Sequence, residues 1–296
     1  MKILYIGCVL FSKTMMEKLI EINAQLVGVI SKENSDFNAD FYDIVPIAKK
    51  YNIPSLYVED INDKKNILWI KKMKPDIIYC FGWSNIISEE ILKIPSKGVV
   101  GFHPTLLPKN RGRHPLIWAK ILGLKKSGTT FFFMDKGADA GPILSQKSFN
   151  ILFKDNAKEL YAKMVSNALF QIKKLNKELS TDKYKTIVQD HESNYWRKRN
   201  KSDGIIDFRM SSVSICNLVR ALTRPYFGAS CYYLSKEIKI WDVELGNSKL
   251  SNVEPGKVIF IDNNRIEVKT GDSSIIIKDH EFKIFPKTGE YLKCKI

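Results

Sequence analysis

A chain of 296 residues is long enough for a full core and for two domains of the usual size, about 100 to 200 residues each. The formal charge of +15 would ordinarily raise nucleic acid as a partner, but only eight of the 47 cations are arginine and the lysines are spread over nearly every helix-like stretch, which fits a solvated surface better than a groove-lining patch. No apolar run reaches membrane-spanning length and Met1 leads straight into a strand-like run, so a cytoplasmic protein with no membrane partner is expected; five cysteines without a CxxC pair read as buried thiols rather than disulfides or metal ligands.

Taken in chain order, Lys2–Gly7, Phe11–Ile22 and Gln25–Ile30 alternate apolar run, helical spacing and apolar run, a β-α-β opening that implies a parallel, Rossmann-like sheet. Gly7 alone, without the further glycines of a dinucleotide fingerprint, supports a tight turn and argues against NAD. Asp43–Tyr51 reads as a helix, Ile53–Tyr57 as a short strand and Lys64–Met73 as a helix stopped before Pro75. Asp76–Gly82 is the next strand, Trp83-Ser84-Asn85 its carboxyl-end loop, and Ser88 a cap for a following helix. Trp83 serves equally as a packing aromatic or as a ligand contact.

The stretch from Val99 to Gln146 organises the rest. A run from Gly98 to Phe102 stops at His103-Pro104 and reads as a buried parallel strand that delivers a histidine to its carboxyl end, where open α/β sheets place ligands. A second run, Thr129 to Met134, stops at Asp135, with Asp139 in a Gly-Ala-Asp-Ala-Gly turn. Two strand ends would thus offer an imidazole and a carboxylate to one crevice. A His–Asp pair with no activated Ser or Cys nearby suggests proton transfer rather than covalent catalysis. The same residues would equally serve as a strand-capping histidine and a turn former. Ile143–Phe149 is a further strand and Ala157–Leu175 a covering helix; residues 179–202 are polar with weak periodicity. Beyond them come helical spacing in Val213–Leu222 and five short strand-like runs separated by Gly, Asn and Asp turns, as in a small β-barrel. The expected domains are 1–180, a linker over 181–202, and a β-rich domain over 203–296.

His103-Pro-Thr-Leu-Leu-Pro108, the following Arg111-Gly112, Trp118-Ala119, and Met134-Asp135 with Asp139 resemble the signature of the folate-dependent formyltransferases. Asp203-Gly, Asp207-Phe208 and Arg220–Ala229 resemble the start of the C-terminal domain of that family. The resemblance implies a formyltransferase fold, a mostly parallel Rossmann-like sheet with a small OB-like C-terminal barrel. It also implies 10-formyltetrahydrofolate as formyl donor, an amine as acceptor, and no metal. His103 would polarise the formyl group or move protons, with Asp139 orienting its ring. The loop Phe81, Gly82, Trp83, Ser84 would wrap the pterin mainly with backbone groups, and the turn Thr105, Leu106, Leu107, Pro108 together with Asp135 would hold the folate. The family's Asn two residues before the histidine is Gly101 here, so one donor to the formyl oxygen is missing. Asn110 is a candidate substitute, or a turn residue.

Within the family the chain is most similar to nucleotide-sugar N-formyltransferases of the pseudaminic-acid-pathway type. The expected acceptor is then the 4-amino group of a UDP- or dTDP-linked 4-amino-4,6-dideoxy sugar. Its diphosphate would meet Arg111, Arg113 and His114, although the two arginines could instead make structural ion pairs. Methionyl-tRNA is the alternative acceptor; the acidic loop Ser31–Asp43 opposes it, because phosphate contacts dominate affinity for RNA. Gly101 motivates a third reading, a non-catalytic folate- or sugar-binding homologue. A homo-oligomer is left open.

Overall fold

A computed structural model describes residues 1–35, 40–189 and 192–294. The chain divides into two compact units that do not follow chain order. One comprises residues 1–112, 127–149 and 162–196, the other residues 113–126, 150–161 and 197–296. The expected first domain thus gives two of its segments to the second unit, and most of the expected linker clusters with the first.

The first unit is built on β1 (Lys2–Ile6), α1 (Leu10–Glu21), β2 (Gln25–Ser31), α2 (Val45–Lys50), β3 (Ser55–Tyr57), α3 (Lys64–Met73), β4 (Ile77–Cys80), α4 (Glu89–Leu92) and β5 (Val99–His103). After β6 (Arg111–Gly112) and α5 (Pro115–Ile121), it continues with β7 (Lys126–Phe133), β8 (Ile143–Asn150), α6 (Ala157–Ser180) and β9 (Tyr195–Trp196). The seven-stranded sheet has the order β3-β2-β1-β4-β5-β7-β8. β1 to β5 are mutually parallel, whereas β7 runs antiparallel to β5.

Strand residues alternate between two buried faces, as a sheet covered on both sides requires. Leu4, Ile6, Ile78, Cys80 and Val99 pack with Ile67 and Ile70 of α3 and Ile91 of α4. On the other face Tyr5 and Tyr79 both pack on the Phe81 ring, and the contacts continue through Phe131 and Phe102 to Phe11, with centroid separations of 4.2 to 5.7 Å. Burying one such side chain contributes about 1.5–3 kcal/mol, so this aromatic layer fixes β4 and β5 side by side. Gly7 is explained by close approach: a Cβ there would lie 2.5 Å from the Phe81 carbonyl oxygen and from Ser12. Ser12 Oγ donates to that same oxygen at 2.6 Å.

The second unit contains α5, α7 (Ser212–Leu222) and a five-stranded antiparallel sheet. Its strands are β10 (Ala229–Tyr233), β11 (Lys236–Leu245), β12 (Val258–Asp262), β13 (Arg265–Lys269) and β14 (Ser274–His280), in the order β10-β11-β14-β13-β12. The late segment bridges both outer strands' neighbourhoods, Tyr291 to Lys257 and Lys293 to Tyr232, which closes the sheet towards a barrel. Its core of Ile215, Val219, Ile240, Val243, Ile266 and Ile277 also takes Ile121 from α5. That apolar contact, and Lys120 donating to the carbonyls of Leu152 and Phe153 at 3.1 and 2.7 Å, explain why α5 clusters with the later residues. Among the described residues no helix is long and apolar enough to cross a membrane. Cys8, Cys80, Cys216 and Cys231 are buried free thiols and Cys294 is partly buried.

Candidate active site

β5 ends on His103 because Pro104 cannot continue the ladder, and the strand's register sets Gly101 opposite Phe132 and His103 opposite Thr130 of β7. The antiparallel direction of β7 corrects one expectation: the carboxyl ends of β5 and β7 lie at opposite edges of the sheet. Asp139 reaches the histidine through the loop 134–142, which turns back before β8. Asp139 sits there at φ 56°, a left-handed conformation that non-glycine residues seldom take and that active-site residues often do.

The pair itself is close. Nδ1 of His103 lies 3.5 Å from Oδ2 of Asp139, and Nε2 lies 2.9 Å from the carbonyl oxygen of Asn110. A carbonyl can only accept, so Nε2 carries the ring proton and, in the neutral imidazole, Nδ1 presents a lone pair to the carboxylate. Two acceptors then face each other across a gap that a proton would convert into an ion pair. Oδ2 of Asp139 also accepts from the Gly112 backbone at 3.2 Å. His103 is buried, only 5 % exposed, and is not the open strand-end residue that the sequence suggested.

Asn110 enters the site by its backbone. Its residue is left-handed (φ 65°), its carbonyl holds His103, and its N–H donates to Asn194 Oδ1 at 2.8 Å. The turn 105–108 is held from beneath. Thr130 Oγ1 donates to the Thr105 carbonyl at 2.7 Å, Gln146 Nε2 donates to the Leu107 carbonyl at 2.8 Å, and the Leu107–Pro108 peptide is cis. Thr105 is fully buried and Leu107 packs with Phe132 and Ile143, so among these four Leu106 and Pro108 are the more open.

In the loop after β4, the Phe81 ring lies in the aromatic layer and its N–H donates to the Ile6 carbonyl, which leaves a ligand only the second lone pair of the carbonyl that Ser12 holds. Gly82 has φ 67°, and a Cβ there would strike Val9 at 2.2 Å. Trp83 is half-buried under Lys32, whose Nζ stands 5.4 Å from the ring centroid, and the indole N–H is buried with no partner among the described residues. That orphan donor is what a heterocycle rich in acceptors would satisfy. Ser84 is half-buried; Asp135 is exposed, with Oδ1 accepting from the Gly137 backbone at 2.8 Å.

Arg111 departs most from expectation. Its side chain is buried; Nη2 donates to Gln189 Oε1 at 2.7 Å and Nη1 to Tyr195 Oη at 3.0 Å and Ser193 Oγ at 3.3 Å. With both terminal nitrogens given to the chain's own groups, and Nε buried without a partner among the described residues, Arg111 stands as a strut rather than an open phosphate ligand. Arg113 and His114 belong to the second unit. There burial, and then the charges of Arg113, Arg199 and Lys198, hold the His114 imidazole below its usual pKa. Its Nε2 is buried without a partner among the described residues. Nearby in that unit Arg197 and Arg199 lie over the Trp118 ring at 5.4 and 4.7 Å.

Sequence reading missed Gln189 and Asn194. The signal available was the pair Tyr195-Trp196, aromatic residues inside a polar stretch, which form β9 parallel to β6. Among the described residues no group of three or more His, Cys, Asp or Glu is placed to hold a metal ion.

Comparison with known proteins fits this geometry. Residues 1–172 match the formyl transferase family and residues 198–285 its C-terminal domain. The chain belongs to the formyl transferase family. It is 38% identical over 281 residues to the bifunctional polymyxin resistance protein ArnA of Wigglesworthia glossinidia brevipalpis, covering 94% of this chain but only 41% of that protein. It is 31% identical to a methionyl-tRNA formyltransferase of Alkaliphilus oremlandii, covering 95% of this chain and 92% of that one. Among solved structures, the sugar 3N-formyl transferase WlaRD, determined with dTDP and 5-N-formyl-THF, superposes with a TM-score of 0.69 at 22% identity over 96% of this chain and 99% of its own. An N-formyltransferase from Helicobacter canadensis, in complex with folinic acid and dTDP-3-aminofucose, gives 0.68 at 20% identity over 94% and 99%. At these identities the two structures speak for the fold.

Proposed function

We propose that this member of the family moves a formyl group from 10-formyltetrahydrofolate to the 4-amino group of a UDP- or dTDP-linked 4-amino-4,6-dideoxy sugar. The observation that carries the chemistry is the facing pair of His103 Nδ1 and Asp139 Oδ2, with the other ring nitrogen fixed as a donor by the Asn110 carbonyl. The donor molecule, when bound, supplies an activated formyl carbon. The protein's residues must then do three things. Nδ1 of His103 takes the proton that the attacking amine loses, and the imidazolium so formed is paired with Asp139; the same proton is available to the departing nitrogen of the donor, so His103 ends as it began. Negative charge developing on the formyl oxygen needs a donor; the backbone N–H of Asn110 is taken by Asn194, so its side-chain amide is proposed for this in place of the side chain that Gly101 lacks. Trp83, Leu106, Pro108 and the backbone of 81–84 hold the donor's ring system, with Asp135 at the rim.

Support for a nucleotide sugar comes from two places. Arg113 directly follows in the chain the Gly112 whose N–H donates to Asp139, and is proposed to meet the acceptor's diphosphate. The loop expected to oppose RNA carries Glu33, Asp40 and Asp43 among its described residues; positions 36–39, including Asp36, lie outside them. Methionyl-tRNA is the second reading, favoured by relatives that this chain matches over more than nine-tenths of their length. The deciding experiment is a panel of UDP- and dTDP-linked 4-amino sugars and methionyl-tRNA, each with formyl donor, read by mass spectrometry for the added formyl group. Faster formylation of the charged tRNA than of any sugar would overturn the sugar reading. Binding of donor and sugar with no formylated product from any acceptor would leave a non-catalytic homologue.

A further inference from the structure

Both loops that set the His103–Asp139 pair are tied to the stretch that follows α6, by Gln189 and by Asn194. Gln189 is buried, and the side-chain hydrogen bonds it makes among the described residues end at the site. Nε2 donates to the carbonyls of Asp139 at 2.8 Å and Gly141 at 2.7 Å, while Oε1 accepts from Arg111 at 2.7 Å. Asn194 holds the other loop: its Oδ1 accepts from the Asn110 N–H and its carbonyl from the Arg111 N–H, at 2.8 and 3.0 Å. The Asn110 carbonyl in turn fixes the His103 proton.

Asp139 is left-handed, a conformation that its backbone does not favour by itself, so neighbours must hold it there. The Gln189 amide does so by gripping the carbonyl of Asp139 itself and that of the residue two further on. We propose that Gln189 is a positioning residue of the transfer reaction: it sets Oδ2 of Asp139 against Nδ1 of His103 and, through Arg111, locks that setting to the loop carrying Asn110. The proposal rests on His103 and Asp139 being the reacting pair.

Chemistry separates this role from space filling. Gln189→Glu keeps the size and an acceptor for Arg111, but turns a carboxylate oxygen towards two carbonyl oxygens that can only accept. If the grip on the Asp139 loop matters, Gln189→Glu and Gln189→Ala both lose about 10- to 100-fold in kcat, as expected for misplacement of a reacting group by a fraction of an ångström, with KM for donor and acceptor moved by less than about threefold. The loss by Gln189→Ala should shrink below about threefold in an Asp139→Ala background, since the placement then serves nothing. Wild-type kcat in Gln189→Glu, or an equal factor for Gln189→Ala with and without Asp139, would overturn the proposal; if Gln189→Ala does not fold, Gln189→Glu decides alone. Turnover by the wild-type protein, none by His103→Ala and full rate in Gln189→Glu would sink the positioning role and spare the catalytic assignment. A His103→Ala variant as fast as wild type would remove that assignment first.

Discussion

Gly101→Asn would put back the side chain that the family motif has two residues before its histidine, and the structure says what it would meet. Gly101 lies between Cys80 of β4 and Phe132 of β7, and a Cβ built on it stands 2.9 Å from Phe132 Cζ and from Met134 Cγ, and 3.2 Å from Phe132 Cε1. Phe132 is 2 % exposed and packs with Leu107 and Ile143. The neighbours are therefore side chains with little room to retreat. Overpacking of a core costs about 1–3 kcal/mol, an unbonded amide adds about 1–3 kcal/mol, and the loss of glycine's freedom in the unfolded chain returns about 0.4–1 kcal/mol. A net destabilisation of about 1–6 kcal/mol, or several degrees and upward in Tm, follows for a unit of this size. No rise in kcat is expected, because an amide crowded by Phe132 and Met134 is not free to reach a formyl oxygen. Thermal unfolding and formyl-transfer kinetics check both statements, and Gly101→Asn/Phe132→Leu should recover part of the lost stability. An unchanged Tm together with a faster enzyme would refute the steric account and make the glycine a purely functional departure.

His103→Ala should lower kcat by about 10²–10⁴, measured by mass of the formylated acceptor, and should also cost some stability, since the residue is buried and the Asn110 carbonyl loses its partner. Asp139→Asn should remove the support of the imidazolium and lower kcat strongly; wild-type kcat in that variant would make Asp139 structural only. Arg111→Ala should lower Tm and kcat, whereas Arg113→Ala should raise the acceptor KM with little change in Tm; the opposite pattern in calorimetry and kinetics would reverse their roles. Burial pushes the Lys120 ammonium down to about 8 from its usual 10.5. The folded state thus sheds this proton first, a penalty borne below pH 8 is relieved as pH rises towards 10.5, and Lys120→Met should flatten stability against pH over that window in denaturant titrations.

The strands from Lys2 to His103 were legible because each is an apolar run between helical periods, and a sheet buried on both faces writes that pattern directly into composition. The barrel strands were legible by the Gly, Asn and Asp turn residues between them. Strand direction was not. Thr129–Met134 looks the same to periodicity whether it runs with β5 or against it, and only the short connections around it decide. Arg111 misled for a related reason: a guanidinium beside a presumed active site has the same letters whether its fork meets a phosphate or Gln189, Ser193 and Tyr195.

Residues 181–202 were read as a linker because they show no period, and the lack of a period follows from what they do. Gln189 and Asn194 bind carbonyl and N–H groups of Asp139, Gly141, Asn110 and Arg111. Backbone groups are present at every position, so a side chain that pairs with them leaves no complementary residue type elsewhere in the sequence to be matched against it. His103 and Asp139 could be picked out because a histidine after a strand and an aspartate in a glycine turn are unusual in themselves. The segment that aims them is ordinary in composition, and its function lies in the left-handed turns at Asn110 and Asp139 that it holds.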